Sequence, residues 1–264
     1  MFLKDGEMYI LVPKEFISDD FENKELRAGI IMVYCWFNRY GTQDGLYTDS
    51  LFRISQKMGY HYDKTKDRHI PKGMQYFKKG IEYLVNKGVL VVQGNINNFE
   101  EFLNFELDIN FYSKCNYISL NKKYFDYILS FKGRANKQNL LYVLLFVLSC
   151  YTKMDNKIYC ACSYSLKFLS LKTGISELTL YNYLAYLSSP IENKGNKPLI
   201  KSRPFYIKIK DGRIIRFPNI YVENTKIAND VIEHQKIFIM RQFKMQKLGM
   251  PNEFYDIPDY DDLY

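Results

Sequence analysis

The sequence contains the stretch Thr48-Asp-Ser-Leu-Phe-Arg-Ile-Ser-Gln-Lys-Met-Gly59, and a similar stretch follows as Ser163-Tyr-Ser-Leu-Lys-Phe-Leu-Ser-Leu-Lys-Thr-Gly174. Each stretch begins with hydroxyl residues that favour a helix N-terminus and continues with apolar residues at helical spacing. Each ends at a glycine, the residue preferred just after a helix. The two stretches therefore predict two short helices, with Thr48 and Ser163 as their N-caps.

The similarity extends upstream of these helices. At a constant offset of 115 residues, 26–59 aligns with 141–174 without a gap. Further upstream, Met8-Tyr-Ile-Leu-Val-Pro-Lys matches Asn116-Tyr-Ile-Ser-Leu-Asn-Lys at an offset of 108. The identities are few, but the same succession of elements fits both copies. We therefore predict an internal duplication.

Each copy is expected to form a strand, three helices and two further strands. The first copy places its helices at 27–40, 48–58 and 71–86, and its strands at 89–93 and 101–111. The second places them at 138–153, 163–173 and 176–188, with strands at 199–203, 205–210 and 213–217. Asp211-Gly212 joins the last two strands as a hairpin signal. A final helix is predicted over 225–248.

A short helix, a glycine-containing turn, a third helix and a β-hairpin, or wing, make up a winged helix-turn-helix. The chain resembles the winged-helix superfamily, and its tandem arrangement resembles plasmid and phage replication initiators. The resemblance covers about residues 7–220 and rests on this pattern of elements. It implies that the third helix of each copy enters a major groove of DNA and that the wing follows the backbone.

The predicted fold class is therefore α+β, mostly helical, with two tandem winged helix-turn-helix domains, a C-terminal helix and an acidic tail. The predicted boundaries are 1–112, 113–222, 223–250 and 251–264.

In the first copy, Phe77, Ile81 and Leu84 point inward at helical spacing. The third helix then turns a polar side outward, and a basic segment precedes it. The predicted DNA-contacting residues are Lys64, Lys66, Arg68, Lys72, Gln75, Tyr76, Lys79 and Tyr83. Lysine suits phosphates and guanine, and glutamine suits adenine edges. The segment from Arg53 to Lys87 contains nine basic residues and three acidic ones. The alternative is a solvated lysine face without a partner.

In the second copy, Leu180, Leu184 and Leu187 point inward, and the outer side carries less charge. The predicted contact residues are Ser176, Thr179, Tyr181 and Asn182 on the helix, and Lys201, Arg203, Lys210, Arg213 and Arg216 on the wing. This helix face is also compatible with a protein contact. Lysines on edge strands also serve to prevent aggregation, which is the alternative for the wing.

The C-terminal segments suggest further partners. The predicted helix 225–248 carries apolar residues that would suit a homodimer interface: Ile227, Val231, Ile232, Ile237 and Met240. The tail, 251–264, has five acidic residues and no basic ones. Duplex DNA would repel it, so it is expected to bind another protein, to fold back on a basic face, or to remain solvated.

Composition limits the class of protein. The net charge is +8 and the isoelectric point is near 9.0, which favours partners that carry phosphate. Five irregularly spaced cysteines predict reduced thiols and a cytoplasmic location. We expect no signal peptide, and the longest apolar run, 140–150, is too short to span a membrane and predicts a buried helix.

Enzyme motifs are missing from the sequence. It has three histidines, His61, His69 and His234, and no His-x-His pair, phosphate-binding loop or Gly-x-Ser-x-Gly elbow. We expect no catalytic residues, no metal and no cofactor.

The sequence thus predicts a sequence-specific double-stranded DNA-binding protein. The preferred role is a plasmid or phage replication initiator that binds repeated origin sites and recruits host replication proteins through the C-terminal helix or tail. Two alternatives remain: a transcriptional regulator that binds an operator as a dimer, and a winged-helix adaptor that binds proteins.

Overall fold

The computed structural model describes residues 9–17, 23–60, 70–109, 111, 116–131, 135–150, 152–154, 159–188, 198–208, 214–245 and 255–256. In these residues helices predominate, and the strands pair antiparallel in small sheets. The chain is therefore a mostly helical α+β protein, as the sequence predicts. It divides into two compact units, Met1–Ser149 and Cys150–Tyr264.

The first unit contains the first copy of the repeat together with the strand and helices that follow it. In chain order its elements are β1 (Tyr9–Pro13), α1 (Lys24–Tyr40), β2 (Leu46–Ser50), α2 (Leu51–Lys57), α3 (Lys72–Asn86), β3 (Leu90–Gln93), β4 (Phe102–Leu107), β5 (Tyr117–Asn121), α4 (Lys122–Ser130) and α5 (Lys137–Ser149). Strand β2 and helix α4 were not predicted from the sequence.

A three-stranded antiparallel sheet has β4 at its centre, with β2 and β3 on either side. Along β4, Leu103, Phe105 and Leu107 are buried and the residues between them are exposed. This alternation is what a sheet with one covered face requires. The predicted hairpin is present, and β2 extends it into a sheet.

Helices α1 and α3 cross at two glycines. A methyl group on Gly80 would lie 2.8 Å from the backbone of Gly29, and one on Gly29 would overlap the carbonyl oxygen of Tyr76. Only hydrogen atoms fit there, so the two backbones approach unusually closely. The same helices bury Phe37 and Phe77, whose ring centroids are 6.5 Å apart. This crossing fixes which side of α3 faces outward.

Elements that are equivalent in the two repeats pair with each other inside the first unit. The antiparallel register of β1 and β5 is symmetric about Leu11 and Ser119. Helix α5 packs against α1, and the Arg27 guanidinium donates a hydrogen bond to the hydroxyl of Tyr142, its counterpart at the offset of 115. These contacts hold β5, α4 and α5 in the first unit. The compact units therefore divide after Ser149 instead of after residue 112.

The second unit contains the rest of the second copy and the C-terminal segments. Its elements are β6 (Thr152–Met154), β7 (Tyr159–Cys162), α6 (Leu166–Thr173), α7 (Glu177–Ser188), β8 (Ile200–Lys208), β9 (Ile214–Glu223), α8 (Ala228–Met245) and β10 (Tyr255–Asp256). Its strands form one sheet in the order β10-β8-β9-β7-β6. The helix predicted over 138–153 ends at Ser149. The two strands that follow it, β6 and β7, were not predicted from the sequence.

Helix α8 packs against the sheet of its own unit. Val231 and Ile232 are buried there together with Phe205 and Ile220, and Met240 is partly buried against the same cluster. The assignment of these α8 residues to a homodimer interface is therefore corrected, because they are occupied inside the unit. Of the five residues assigned to it, the exposed ones are Ile227 and Ile237.

The repeated stretch forms the same N-terminal cap in both copies. The hydroxyl oxygens of Ser50 and Ser165 accept the backbone N–H three residues later, at 3.3 and 3.1 Å. These serines lie 115 residues apart and precede α2 and α6. The caps predicted at Thr48 and Ser163 were each placed two residues too early. In the first copy the reason is that Thr48 belongs to β2 and bonds to a neighbouring strand.

The glycines that follow these helices also match, but the turns do not. Gly59 and Gly174 have φ values of 80° and 68°, in the left-handed region that favours glycine. After Gly174, α7 begins within three residues, as in a tight helix-turn-helix. After Gly59, α3 begins only at Lys72, and Pro71 is its N-cap.

No helix in the part of the chain that the structure describes is both long and apolar enough to cross a membrane. The longest apolar run lies in α5, a helix of 13 residues whose side chains are largely buried, as predicted.

Candidate nucleic-acid interface

Helix α3 turns its apolar side inward, as the sequence predicts. Phe77, Ile81 and Leu84 are fully buried. Tyr76 and Tyr83, which were predicted to face outward, are half-buried because they lie where the outer and inner sides of the helix meet. The predicted contact residues with exposed side chains on α3 are Lys72, Gln75 and Lys79.

The two exposed lysines lie over an aromatic ring. The ammonium nitrogens of Lys72 and Lys79 are 5.8 and 5.7 Å from the centroid of the Tyr76 ring. Each such contact contributes about 0.5–1 kcal/mol at an exposed site, which restrains the side chain and leaves its charge accessible. Neither lysine forms an ion pair within the described residues. Both charges are therefore available to an external anion.

Other polar groups share the outer side of α3. Gln75 donates one amide N–H to the carbonyl of Ile70 at 2.9 Å. Its second N–H and its oxygen are left for an adenine edge, which needs one donor and one acceptor. Glu82 and Asn86 are also exposed on this side. Sequence reasoning missed these two residues, although they continue the helical spacing of Gln75 and Lys79.

Asp49 neutralises part of the predicted basic surface. Its carboxylate, 4% exposed, lies 2.6 Å from the Lys57 ammonium and 3.6 Å from Nε of Arg53. Burial raises the pKa of Asp49, but hydrogen bonds from Lys57, Tyr47 and a backbone amide outweigh burial and lower that pKa below its ordinary value. The predicted excess of basic residues over 53–87 is thus smaller at the surface, because that count began after Asp49.

The loop between β3 and β4 is attached to α3 by Lys78. Its ammonium donates to the Asn97 side chain at 2.5 Å and lies 3.9 Å from Glu82. Within the loop, the Asn95 side chain accepts the N–H of Asn97, and Glu101 accepts the N–H of Asn95. This loop is polar and well bonded, and it contains two glutamates and no lysine or arginine.

Helix α7 has the inner side that the sequence predicts, but its outer side lacks positive charge. Leu180, Leu184 and Leu187 are buried. The helix contains no lysine or arginine. The side-chain amide of Asn182 has no hydrogen bond within the described residues. The exposed side chains are Glu177, Leu178 (74% exposed), Tyr181 (58% exposed), Asn182 and Tyr186, and Ala185 is half-buried.

Ser176 and Thr179, both predicted as DNA contacts, form the N-terminus of α7. The Ser176 hydroxyl accepts the backbone N–H of Thr179 at 3.3 Å and donates to the Thr179 hydroxyl at 2.8 Å. Their first role is therefore to cap the helix. The Thr179 hydroxyl keeps its own proton for an external acceptor.

The hairpin of β8 and β9 carries the other predicted contacts of the second unit. Lys201 and Arg203 are half-buried, and the Lys201 ammonium donates to the side chain of Asn229 on α8. Arg216 is exposed, with its guanidinium 5.8 Å from the ring centroid of Tyr206. Of these three residues, Arg216 presents the most accessible charge.

Tyr221 on β9 connects this hairpin with α7. Burial is the largest cause that raises the pKa of Tyr221 to about 12, followed by the nearby Cys162. Arg216 lowers this pKa and Tyr181 raises it. Helix α7 packs against β8, so the hairpin and α7 are neighbours.

The described residues hold no group of three or more His, Cys, Asp or Glu side chains that could bind a metal ion. Cys35, Cys150 and Cys162 are reduced, as predicted. Burial raises the pKa of Cys35, which keeps that thiol protonated and unreactive.

Several predicted contacts fall outside the described residues. They are Lys64, Lys66, Arg68, Lys210 and Arg213. Most of the acidic tail falls outside as well. Its described part, Tyr255–Asp256, pairs antiparallel with Ile207–Lys208 at the edge of β8.

Comparisons with protein-family models, curated proteins and solved structures found no match for this chain.

Proposed function

We propose that this chain is a sequence-specific protein of double-stranded DNA, which it binds through two winged helix-turn-helix units. Two features support this reading. Each copy has a strand, two helices and a β-hairpin in succession, and in each sheet the last strand of the hairpin pairs with the strand that precedes the helices. Each third helix also turns an exposed side away from its buried residues, with polar side chains in α3 and both polar and apolar ones in α7.

The observation that carries the proposal is the pair of lysines on α3. Lys72 and Lys79 are exposed and without an ion pair in the described residues, and Gln75 lies between them. An α-helix fits into the major groove, which is about 12 Å wide. In that groove the lysines would contact phosphates or guanine, and Gln75 would be near base edges.

The preferred role is a replication initiator at repeated origin sites, with host replication proteins as partners of the C-terminal helix or tail. The third helices of the two units differ in charge, so one chain can read two different half-sites without a palindrome. A regulator that binds an operator as a dimer is supported less well, since Val231 and Ile232 of α8 are buried inside their own unit.

The test is the salt dependence of duplex binding. We expect the logarithm of affinity to fall linearly with the logarithm of salt concentration, with about 0.9 of slope per neutralised phosphate. The double variant Lys72→Ala/Lys79→Ala should bind more weakly, and its slope should be shallower by about two. Titrations of a duplex pool at low to moderate salt would measure both quantities.

Lys123→Ala is the matched control, because Lys123 is an exposed lysine on α4 in the same unit. It should leave the slope unchanged. If the double variant and the control behave alike, α3 does not contact DNA. If the wild-type chain binds no duplex at all, the proposal fails and the adaptor alternative takes its place.

A further inference from the structure

The outer side of α7 has the wrong composition for phosphate contacts. Phosphates are bound mainly by lysine, arginine and other strong donors, and α7 contains neither lysine nor arginine. Its outward ridge is Leu178, Asn182 and Ala185, at positions i, i+4 and i+7 of one helical side. The Asn182 amide thus lies between two apolar side chains, Leu178 and Ala185, and is available for contacts with a partner.

This set of groups matches one kind of base pair. An asparagine amide can accept from N6 and donate to N7 of adenine, and both of its groups are unused in Asn182 within the described residues. The C5 methyl of thymine, which only A·T pairs present, is recognised by apolar side chains. Leu178, one turn before Asn182 and 74% exposed, offers such a contact.

We infer that α7 reads A·T base pairs in the major groove, with Asn182 on an adenine edge and Leu178 against a thymine methyl. This inference rests on the proposed function. Duplex DNA is favoured over a protein partner by Arg216, because this residue is exposed on the hairpin whose strand β8 packs against α7, and an exposed arginine suits a phosphate. Duplex DNA would contact the Asn182 amide, the apolar side chains of the ridge and Arg216 at the same time.

The first experiment selects bound sequences from a random duplex pool with the wild-type chain and with Asn182→Ala. The wild type should enrich a motif that contains an A·T block. Asn182→Ala should lose the preference at one A·T position by about tenfold, since a bidentate pair is worth that order of discrimination. Lys79→Ala serves as the control: it should weaken binding and leave that A·T preference in place.

The second experiment pairs each side chain with one atom or group of the selected site. Replacing adenine by 7-deazaadenine removes the N7 acceptor, and replacing thymine by uracil removes the methyl group. The deaza substitution should weaken the wild type several-fold and have no effect on Asn182→Ala. Uracil should likewise weaken the wild type and have no effect on Leu178→Ala. Thermal unfolding should be unchanged for both variants, because both side chains are exposed.

The outcomes separate the two proposals. If no chain enriches any motif, the proposed function fails and this inference fails with it. If a motif is enriched but Asn182→Ala and Leu178→Ala leave it unchanged, DNA binding stands and the inference is overturned. Should those variants instead abolish self-association or binding to a protein without altering the motif, the outer side of α7 is a protein interface.

Discussion

Helices α3 and α7 occupy the same place in two copies of one element order, but their outer sides differ in charge. Both bury three large apolar residues at the same spacing: Phe77, Ile81 and Leu84 in α3, and Leu180, Leu184 and Leu187 in α7. Outward, α3 carries two lysines without ion pairs in the described residues, whereas α7 carries none. The inward residues therefore maintain the fold in both copies, whereas the outward residues can serve different functions.

The helices that precede them differ in a similar way. Asp49 and Lys57 form an ion pair in the first copy, 2.6 Å apart. At the offset of 115, the corresponding residues are Tyr164 and Lys172. There Tyr164 stacks on Phe168 with 4.4 Å between ring centroids, and the Lys172 ammonium lies 6.0 Å from the Phe168 ring. One copy thus uses an ionic contact where the other uses aromatic ones.

The largest effect is expected at the glycine crossing that supports α3. Gly29→Ala places a methyl group against the carbonyl oxygen of Tyr76 and should lower the free energy of unfolding by roughly 3 kcal/mol. Urea unfolding followed by the fluorescence of Trp36, the single tryptophan, would measure it. In Gly88→Ala the methyl meets open space at a φ of 68°, so its cost should be only about 1 kcal/mol. Equal costs would mean that the two backbones are not in close contact.

The ionic cluster should make the first copy sensitive to acid. Asp49→Asn should cost about 2 kcal/mol at neutral pH, since it weakens charged hydrogen bonds of a buried carboxylate. The pKa of Asp49 is lower in the folded chain than its ordinary value, so this stabilisation is present above that value and is lost as the pH falls below it. Unfolding measured at several pH values should show this loss in the wild type and not in Asp49→Asn.

Tyr164→Ala is the counterpart in the second copy. The substitution should lower the free energy of unfolding only slightly, and this change should not depend on pH, because the aromatic cluster contains no carboxylate. An acid-dependent cost for Tyr164→Ala would show that the two clusters do not differ as the structure indicates.

The matched serine caps test what the copies have in common. Ser50→Ala and Ser165→Ala should each destabilise the chain by about 1 kcal/mol, because each removes one bond to a helix N-terminal amide. Circular dichroism reports on both helices, and Trp36 fluorescence reports on the first unit. If only one of the two variants were destabilised, the two copies would not share the capping geometry.

The smallest effect is expected from the acidic tail. Deleting residues 251–264 removes five acidic residues and raises the net charge from +8 to +13. Duplex affinity at low salt should then rise by roughly threefold through the long-range field. A full-length chain with those five carboxylates changed to amides should behave like the deletion. Unchanged affinity in both would show that the tail does not oppose DNA.

Much of the helical architecture follows from the sequence. The inward residues of α3 and α7 repeat at helical spacing, and Gly59 and Gly174 end their helices where the pattern predicts. The short strands β2 and β7 were missed because four or five residues carry too little alternation to be distinguished from a loop. They become strands by pairing with β4 and β9, which are distant in the chain.

The candidate site was only partly predictable, since pairing between charges depends on tertiary contacts. Counting residues from Arg53 onward could not show that Asp49 neutralises Lys57 and Arg53. The sequence also could not show that Lys72 and Lys79 lie over Tyr76, although their spacing of three to four residues permits it. The burial of α8 residues likewise depends on the sheet beneath them.

If the outer side of α3 docks on duplex DNA, bound DNA should protect its lysines from chemical modification. The most direct measurement compares lysine acetylation rates, read by mass spectrometry, with and without bound duplex. We expect DNA to protect Lys72 and Lys79, and we expect Lys123, exposed on α4, to be modified at the same rate in both samples. Equal modification of all three lysines in the presence of a saturating duplex would contradict this docking.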